Sequence, residues 1–190
     1  MQTHNAALEL ITEVGREARI PLCKEKTIKL LSGPNETYRA DLLLPGGIPR
    51  LGNRPVALDV TITNPLVATD LSGASKAAGS AAASGERTKN NCLLKPLDDL
   101  GYSFLPLSFE TFSGVGEQSK LFFDFLLTQL YYQLRLPFAE VTQTFWQRLS
   151  ILIQRFKAQT IRRVIRILAH ENSQSKRFDV LHPETYGNFA

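Results

Sequence analysis

Cysteine is scarce in this sequence: Cys23 and Cys92 are the only two in 190 residues, and they stand far apart. That spacing fits neither a disulfide framework nor a zinc site, so two reduced, partly buried thiols are expected in an intracellular protein, nuclear or cytoplasmic. Long hydrophobic runs are missing too. The most apolar stretch, residues 121–136, is interrupted by Asp124, Gln129 and Gln133 and is too short to span a bilayer, so it is expected in the core and no membrane partner is expected. Residues 1–18 have neither an apolar signal core nor arginine-rich transit character, which predicts no export or organelle address. Also lacking are a repeat of fixed period and the charge excess of a disordered chain.

What is present is the material of an ordinary folded domain. Hydrophobic residues make up 43% and charged residues 21%, and a chain of this length buries roughly 70% of its unfolded surface on folding without staples. The net charge of +4 is unevenly spread. Residues 1–147 hold fourteen Lys/Arg and fifteen Asp/Glu, whereas residues 148–190 hold eight and three, so a polyanion is a plausible partner for the C-terminal part.

Residues 6–18 place Leu8, Ile11 and Val14 on one side of an amphipathic helix that Asn5 can cap. Residues 24–31 and 38–44, separated by the turn-forming Ser32, Gly33, Pro34 and Asn35, predict a hairpin. The β-branched run over residues 56–63, stopped by Asn64 and Pro65, predicts a strand. Residues 70–94, rich in Ala, Ser and Lys, predict one helix weakened by Gly73, Gly79 and Gly85. A further strand is expected over residues 102–108, then helices over 117–136 and 138–169 parted by Pro137, and a mobile tail after Asn172. This order predicts an α/β fold with a mixed central β-sheet flanked by helices and a C-terminal helical extension. Residues 1–136 would be the core, 137–172 a basic amphipathic helix packed on it, and 173–190 a flexible tail.

The chemistry concentrates on two acids, Asp41 in one predicted strand and Asp59 in the next. On adjacent strands their carboxylates can share a side of the sheet, where they repel unless a cation lies between them. Oxygen ligands of this kind suit Mg²⁺ or Mn²⁺. The plain alternative is an ion pair of each acid with Arg39, Arg54 or a lysine.

An Asp on one strand and an acid on the next resemble the PD-(D/E)XK, or restriction endonuclease-like, nuclease superfamily, although Thr61 stands where that pattern has lysine. The ordered segments HNAALELI, YRADLLLPGG, RPVALDVTITNPL, ERTKNNC, LGYSFLPLSFETFSG and FWQRLSILIQR resemble more closely the nuclease-like domain that follows reverse transcriptases in retroelements, over residues 4–168. The resemblance implies a restriction endonuclease-like core and metal-dependent hydrolysis of double-stranded DNA to a 5′-phosphate product. It implies as well a reverse transcriptase in the same polyprotein as partner. Asp41 and Asp59 would be catalytic and metal-binding, Glu9 or Glu13 the third metal carboxylate, and Lys89 or Lys76 the displaced lysine, with Lys89 favoured by its place in ERTKNNC. His4 would meet a phosphate. The alternative the sequence keeps open is an inactive nuclease fold serving as a DNA-binding or assembly module.

Lys89 lies three residues after Glu86, the spacing of an ordinary surface pair, and Glu110 reads as a structural cap for the helix or loop after it. Arg148, Arg155 and Arg162 repeat every seven residues and are joined by Arg166, opposite an apolar face that includes Phe145, Leu149 and Leu152. Such a stripe can follow a phosphate backbone. Trp146 reads as packing.

Overall fold

The computed structural model describes residues 2–30, 36–66, 71–111 and 114–181. A four-stranded sheet in the order β1-β2-β3-β4 is built from Cys23–Lys29, Thr37–Leu44, Val56–Thr63 and Ser103–Glu110. Strands β1, β2 and β3 pair antiparallel, and β3 pairs with β4 in parallel. The sheet is therefore mixed, as the element order predicts, because β3 and β4 are joined by a helical crossover and the others are not. The hairpin turn at residues 32–35 lies outside the described residues.

Side-chain alternation in β3 and β4 divides the core in two. Val56, Leu58 and Val60, with Leu105, Leu107 and Phe109, pack against α1 (Gln2–Glu17), α4 (Glu117–Leu134) and the start of α5 (Phe138–Leu181). Ala57 and Phe104 face the other way and meet Leu97 of α3 (Ser80–Asp98), together with Ile28 and Ala40. Both faces of the inner strands are covered, so β4 is buried at all eight positions and leaves no room for the polar alternation of a half-wet strand. Edge strand β1 is exposed at six of its seven positions and carries Lys24, Glu25, Lys26 and Lys29, charges that discourage pairing with another chain; Cys23 at its start and Cys92 on α3 are exposed thiols rather than partly buried ones.

Three boundaries differ from expectation. Helix α1 begins at Gln2, so Asn5 lies within it rather than capping it, with its Oδ1 3.2 Å from His4 Nδ1. The polar residues ahead of Leu8 carry no apolar period to betray that extra turn. Residues 71–98 are two helices: α2 is Leu71–Ala74, and α3 starts after Gly79, whose φ of 87° is open to glycine at little cost. Finally, α5 continues to Leu181, past the expected end at residue 169 and into the stretch read as tail. Residues 182–190 lie outside the described ones.

The chain divides into two units between Ile153 and Gln154, inside α5. Val141, Phe145, Leu149 and Ile153 are buried in the first unit, and Phe145 and Trp146 both stack against Phe123, so Trp146 is a packing residue. In the second unit residues 158–170 are exposed throughout. Among the described residues no helix is long and apolar enough to cross a membrane.

Two buried glutamates join the layers. Glu110, at the end of β4, accepts the N–H groups of Gly79, Ala81 and Ala82 at 3.0, 2.8 and 3.3 Å and so caps the start of α3. Glu86, inside α3, accepts the N–H groups of Gln118 and Ser119 at 3.3 and 3.0 Å and the Ser119 hydroxyl at 2.9 Å, capping α4. Each carboxylate thus meets the donors and the positive end that a helix N-terminus leaves open. Glu110 is structural, as expected, but it caps the helix before it in the chain.

Candidate functional site

The ladder between β2 and β3 runs Leu44↔Val56, Leu43↔Ala57, Leu42↔Leu58 and then stops. One step further on the same register stand Asp41 and Asp59. There the Val60 N–H donates to Asp41 Oδ2 at 2.7 Å. On the other side of β2 the pairing skips the same level, between Lys24↔Leu42 and Lys26↔Ala40, where Glu25 has a left-handed φ of 51°. Asp41 therefore has no ladder partner on either neighbour. The sheet forks, and the two acids sit in the fork.

Asp59 is only 7% exposed. Lys89, reaching across from α3, brings Nζ to 2.6 Å from Asp59 Oδ2. That oxygen is otherwise enclosed, and the contact is an ion pair. Burial raises the Asp59 pKa above the ordinary carboxylate range. Lys89 opposes that rise by hydrogen bonding and charge, and the charge and hydrogen bonding of Asp41 add to it. These influences carry the functional content of the geometry: the two carboxylates feel each other, and one cation meets the deeper of them.

Asp41 Oδ2 also meets His4 Nε2 at 2.9 Å. His4 is thus bound to one of the acids, from the first turns of α1, instead of standing free for a phosphate. The fifth member is Tyr38, three residues before Asp41 on β2, whose ring lies edge-on to Phe104 at 6.4 Å. Its hydroxyl is enclosed, with no well-formed hydrogen bond but close to the Asp59 carboxylate. Burial, and then the charges of Asp59 and Asp41, push its pKa far upward, so it remains an O–H donor at any physiological pH.

Other expected residues lie elsewhere. Glu9 pairs with Lys24 at 2.5 Å and Glu13 with Arg148 at 3.0 Å; neither joins the acid pair, because Leu8, Leu10, Ile11 and Val14 take the core side of α1 and turn these glutamates outward. Lys76 is exposed in the turn between α2 and α3, so Lys89 is the lysine brought to the acids. Arg39 and Arg54 pair with Glu25 and Asp98 at 3.8 and 2.8 Å, not with Asp41 or Asp59. Glu86 is turned toward α4, so the surface pair with Lys89 does not form. Of the basic stripe, Arg148 is tied to Glu13, and Arg155, Arg162 and Arg166 are exposed in the second unit.

No protein-family model matches the chain, and no curated protein is significantly similar to it. The residues themselves carry the argument. Among the described residues no group of three or more His, Cys, Asp or Glu side chains is gathered to hold a metal; the two aspartates are the side chains here that could hold one. Two carboxylates fit Mg²⁺, which keeps several waters and takes few protein ligands. A buried acid whose proton affinity is raised by burial and a like charge is also a group that an added cation would satisfy.

Sequence reasoning missed Tyr38, Glu86 and the role of His4. Nothing in the period of β2 distinguishes Tyr38 from a packing tyrosine. Glu86 did leave a trace in Gly114 and Gly116: a Cβ at either position would run into the carboxylate of Glu110 or Glu86, respectively.

Proposed function

We propose that this chain is a divalent-metal-dependent DNA endonuclease domain of the PD-(D/E)XK type, with a lysine supplied from the helix after the strand instead of from the strand itself. The observation that supports this reading is the convergence of Asp41, Asp59 and Lys89 at the fork between β2 and β3, with Lys89 Nζ 2.6 Å from Asp59. Thr61, in the strand position of the lysine, has no charge to offer.

Asp41 and Asp59 are the residues that would hold Mg²⁺ or Mn²⁺; when bound, such an ion supplies Lewis acidity to a water and screens the charge of a phosphodiester. The chain's own groups do the rest. Lys89, 38% exposed at its side chain, combines a buried anchor with access to solvent, so its ammonium can offset charge that builds on a phosphate. Tyr38 adds a neutral donor beside the carboxylates. Exposed Arg155, Arg162 and Arg166 supply phosphate contacts that hold double-stranded DNA without reading its sequence. A reverse transcriptase in the same polyprotein is the partner this reading implies.

One observation favours a second reading, a nuclease fold kept as a DNA-binding or assembly module. Lys89 already gives Asp59 a countercharge, so that half of the site is electrically complete without an ion. Plasmid nicking with Mg²⁺ or Mn²⁺ separates the two. Wild type should nick, and Asp41→Asn, Asp59→Asn and Lys89→Ala should each lose at least about 100-fold, as expected for groups acting on transition-state charge. Absence of nicking by folded wild type with either metal would leave only the module.

A further inference from the structure

The structure assigns His4 a role not foreseen for it: it is the positioning residue that, with the Val60 N–H, fixes the Asp41 carboxylate so that Oδ1 is the oxygen presented to a divalent cation. The inference rests on the ion-site part of the proposed function and deepens it. The two donors that meet Asp41 from α1 and β3 fall on the same oxygen: Val60 N–H at 2.7 Å and His4 Nε2 at 2.9 Å, each on Oδ2. A carboxylate oxygen that accepts two donors is saturated in the plane of its lone pairs, while its twin is left to a ligand. The two donors come from different elements, β3 and α1, so together they fix both the χ1 and χ2 rotations that either alone would leave free.

The rest of the surroundings agree. Asp41 has no ladder partner at its own level on β1 or β3, so these side-chain bonds are what ties the residue at the fork. His4 is partly buried, its side chain 32% exposed and that of Asp41 21%, which protects the bond from water. Its other ring nitrogen faces the Asn5 side-chain amide at 3.2 Å, which can donate or accept according to its orientation, so the ring is held at both nitrogens. Hydrogen-bonded supports behind a ligating carboxylate alter metal affinity by about 10–100-fold in known sites.

The experiment uses the full chain and Mn²⁺ alone, with affinity measured by calorimetry and without DNA. His4→Ala should weaken Mn²⁺ binding by about 10-fold or more. His4→Gln, whose amide can donate to Oδ2 from a similar reach, should recover most of that loss. Circular dichroism and melting of each variant establish that the fold is kept; were His4→Ala to unfold, the comparison of His4→Gln with His4→Leu takes its place. Equal Mn²⁺ affinity in wild type and the variant without the donor overturns the assignment, as does wild type that binds no Mn²⁺ at all. A His4-dependent affinity together with no nicking upholds the positioning role and rejects only the endonuclease, so the two failures are told apart.

Discussion

Replacing Lys89 with methionine keeps the length and apolar stem of the side chain and removes the cation that meets Asp59. Pairs exposed on both sides contribute about 0–1 kcal/mol, and removing one partner of a fully buried pair costs about 3–5 kcal/mol. With Lys89 at 38% side-chain exposure and Asp59 at 10%, the loss should fall between these, about 1–2 kcal/mol at neutral pH. For a domain of this size that is a fall in Tm of roughly 2–8 °C. The pH dependence identifies the cause. Because its folded pKa is raised, Asp59 binds more protons folded than unfolded, so it costs stability as pH rises through the window between its unfolded and folded pKa values. Loss of Lys89 raises the folded value further and widens that window upward. The melting difference between wild type and Lys89→Met should therefore be largest toward neutral pH and shrink as pH falls through the window in which folded Asp59 takes up its proton. Mg²⁺ at about ten times its Kd should restore roughly 1.4 kcal/mol to the variant at neutral pH. Thermal melting by circular dichroism across that pH range, with and without Mg²⁺, reads all three. A difference that does not change with pH would refute the electrostatic account, since lost packing has no reason to vanish in acid.

Glu86→Ala should cost about 2–3 kcal/mol, because it opens a cavity and strips three donors of a buried acceptor; urea denaturation measures it, and Glu86→Gln should lose less. Tyr38→Phe should change stability by less than about 1 kcal/mol, since the hydroxyl it deletes is buried close to Asp59 without a well-formed hydrogen bond; a larger loss would mean that the bond to Asp59 is fully made in solution. Arg155, Arg162 and Arg166 changed together to Gln should reduce the slope of log affinity for DNA against log salt by about 2–3, at close to 0.9 per phosphate contact. An unchanged slope would return that helix face to solvent alone.

The mixed sheet and its flanking helices were legible because β3 and the buried face of α1 are written in short-range patterns: Val56 to Thr63 is β-branched and bounded by Asn64-Pro65, and Leu8, Ile11 and Val14 recur at helical spacing. Lys89 was legible as a candidate through its segment; of it and Lys76, the fold brings only Lys89 to Asp59, because the break at Gly79 leaves Lys76 outside α3. Glu9 and Glu13 show where pattern gives out: acids on the first helix say nothing of which way they turn, and here the apolar residues between them decide. His4 meets Asp41 from 37 residues away, and Glu86 meets Ser119 from 33. Pairings of that range are made by packing layers together, and no local period records them.

Glu86 and Lys89 sit on one helix, three residues and so roughly 60° apart around its axis. The first is locked into the start of α4 and the second reaches the acid fork on the sheet, which makes α3 an indexed shaft: turned by a single residue, about 100°, it would lose its anchor and its lysine at once. Length changes should accordingly be tolerated very unevenly along this part of the chain. An added residue in the turn before Gly79 leaves the indexing intact, whereas one inserted between Glu86 and Lys89 would swing the ammonium away from Asp59 while the helix itself remained whole.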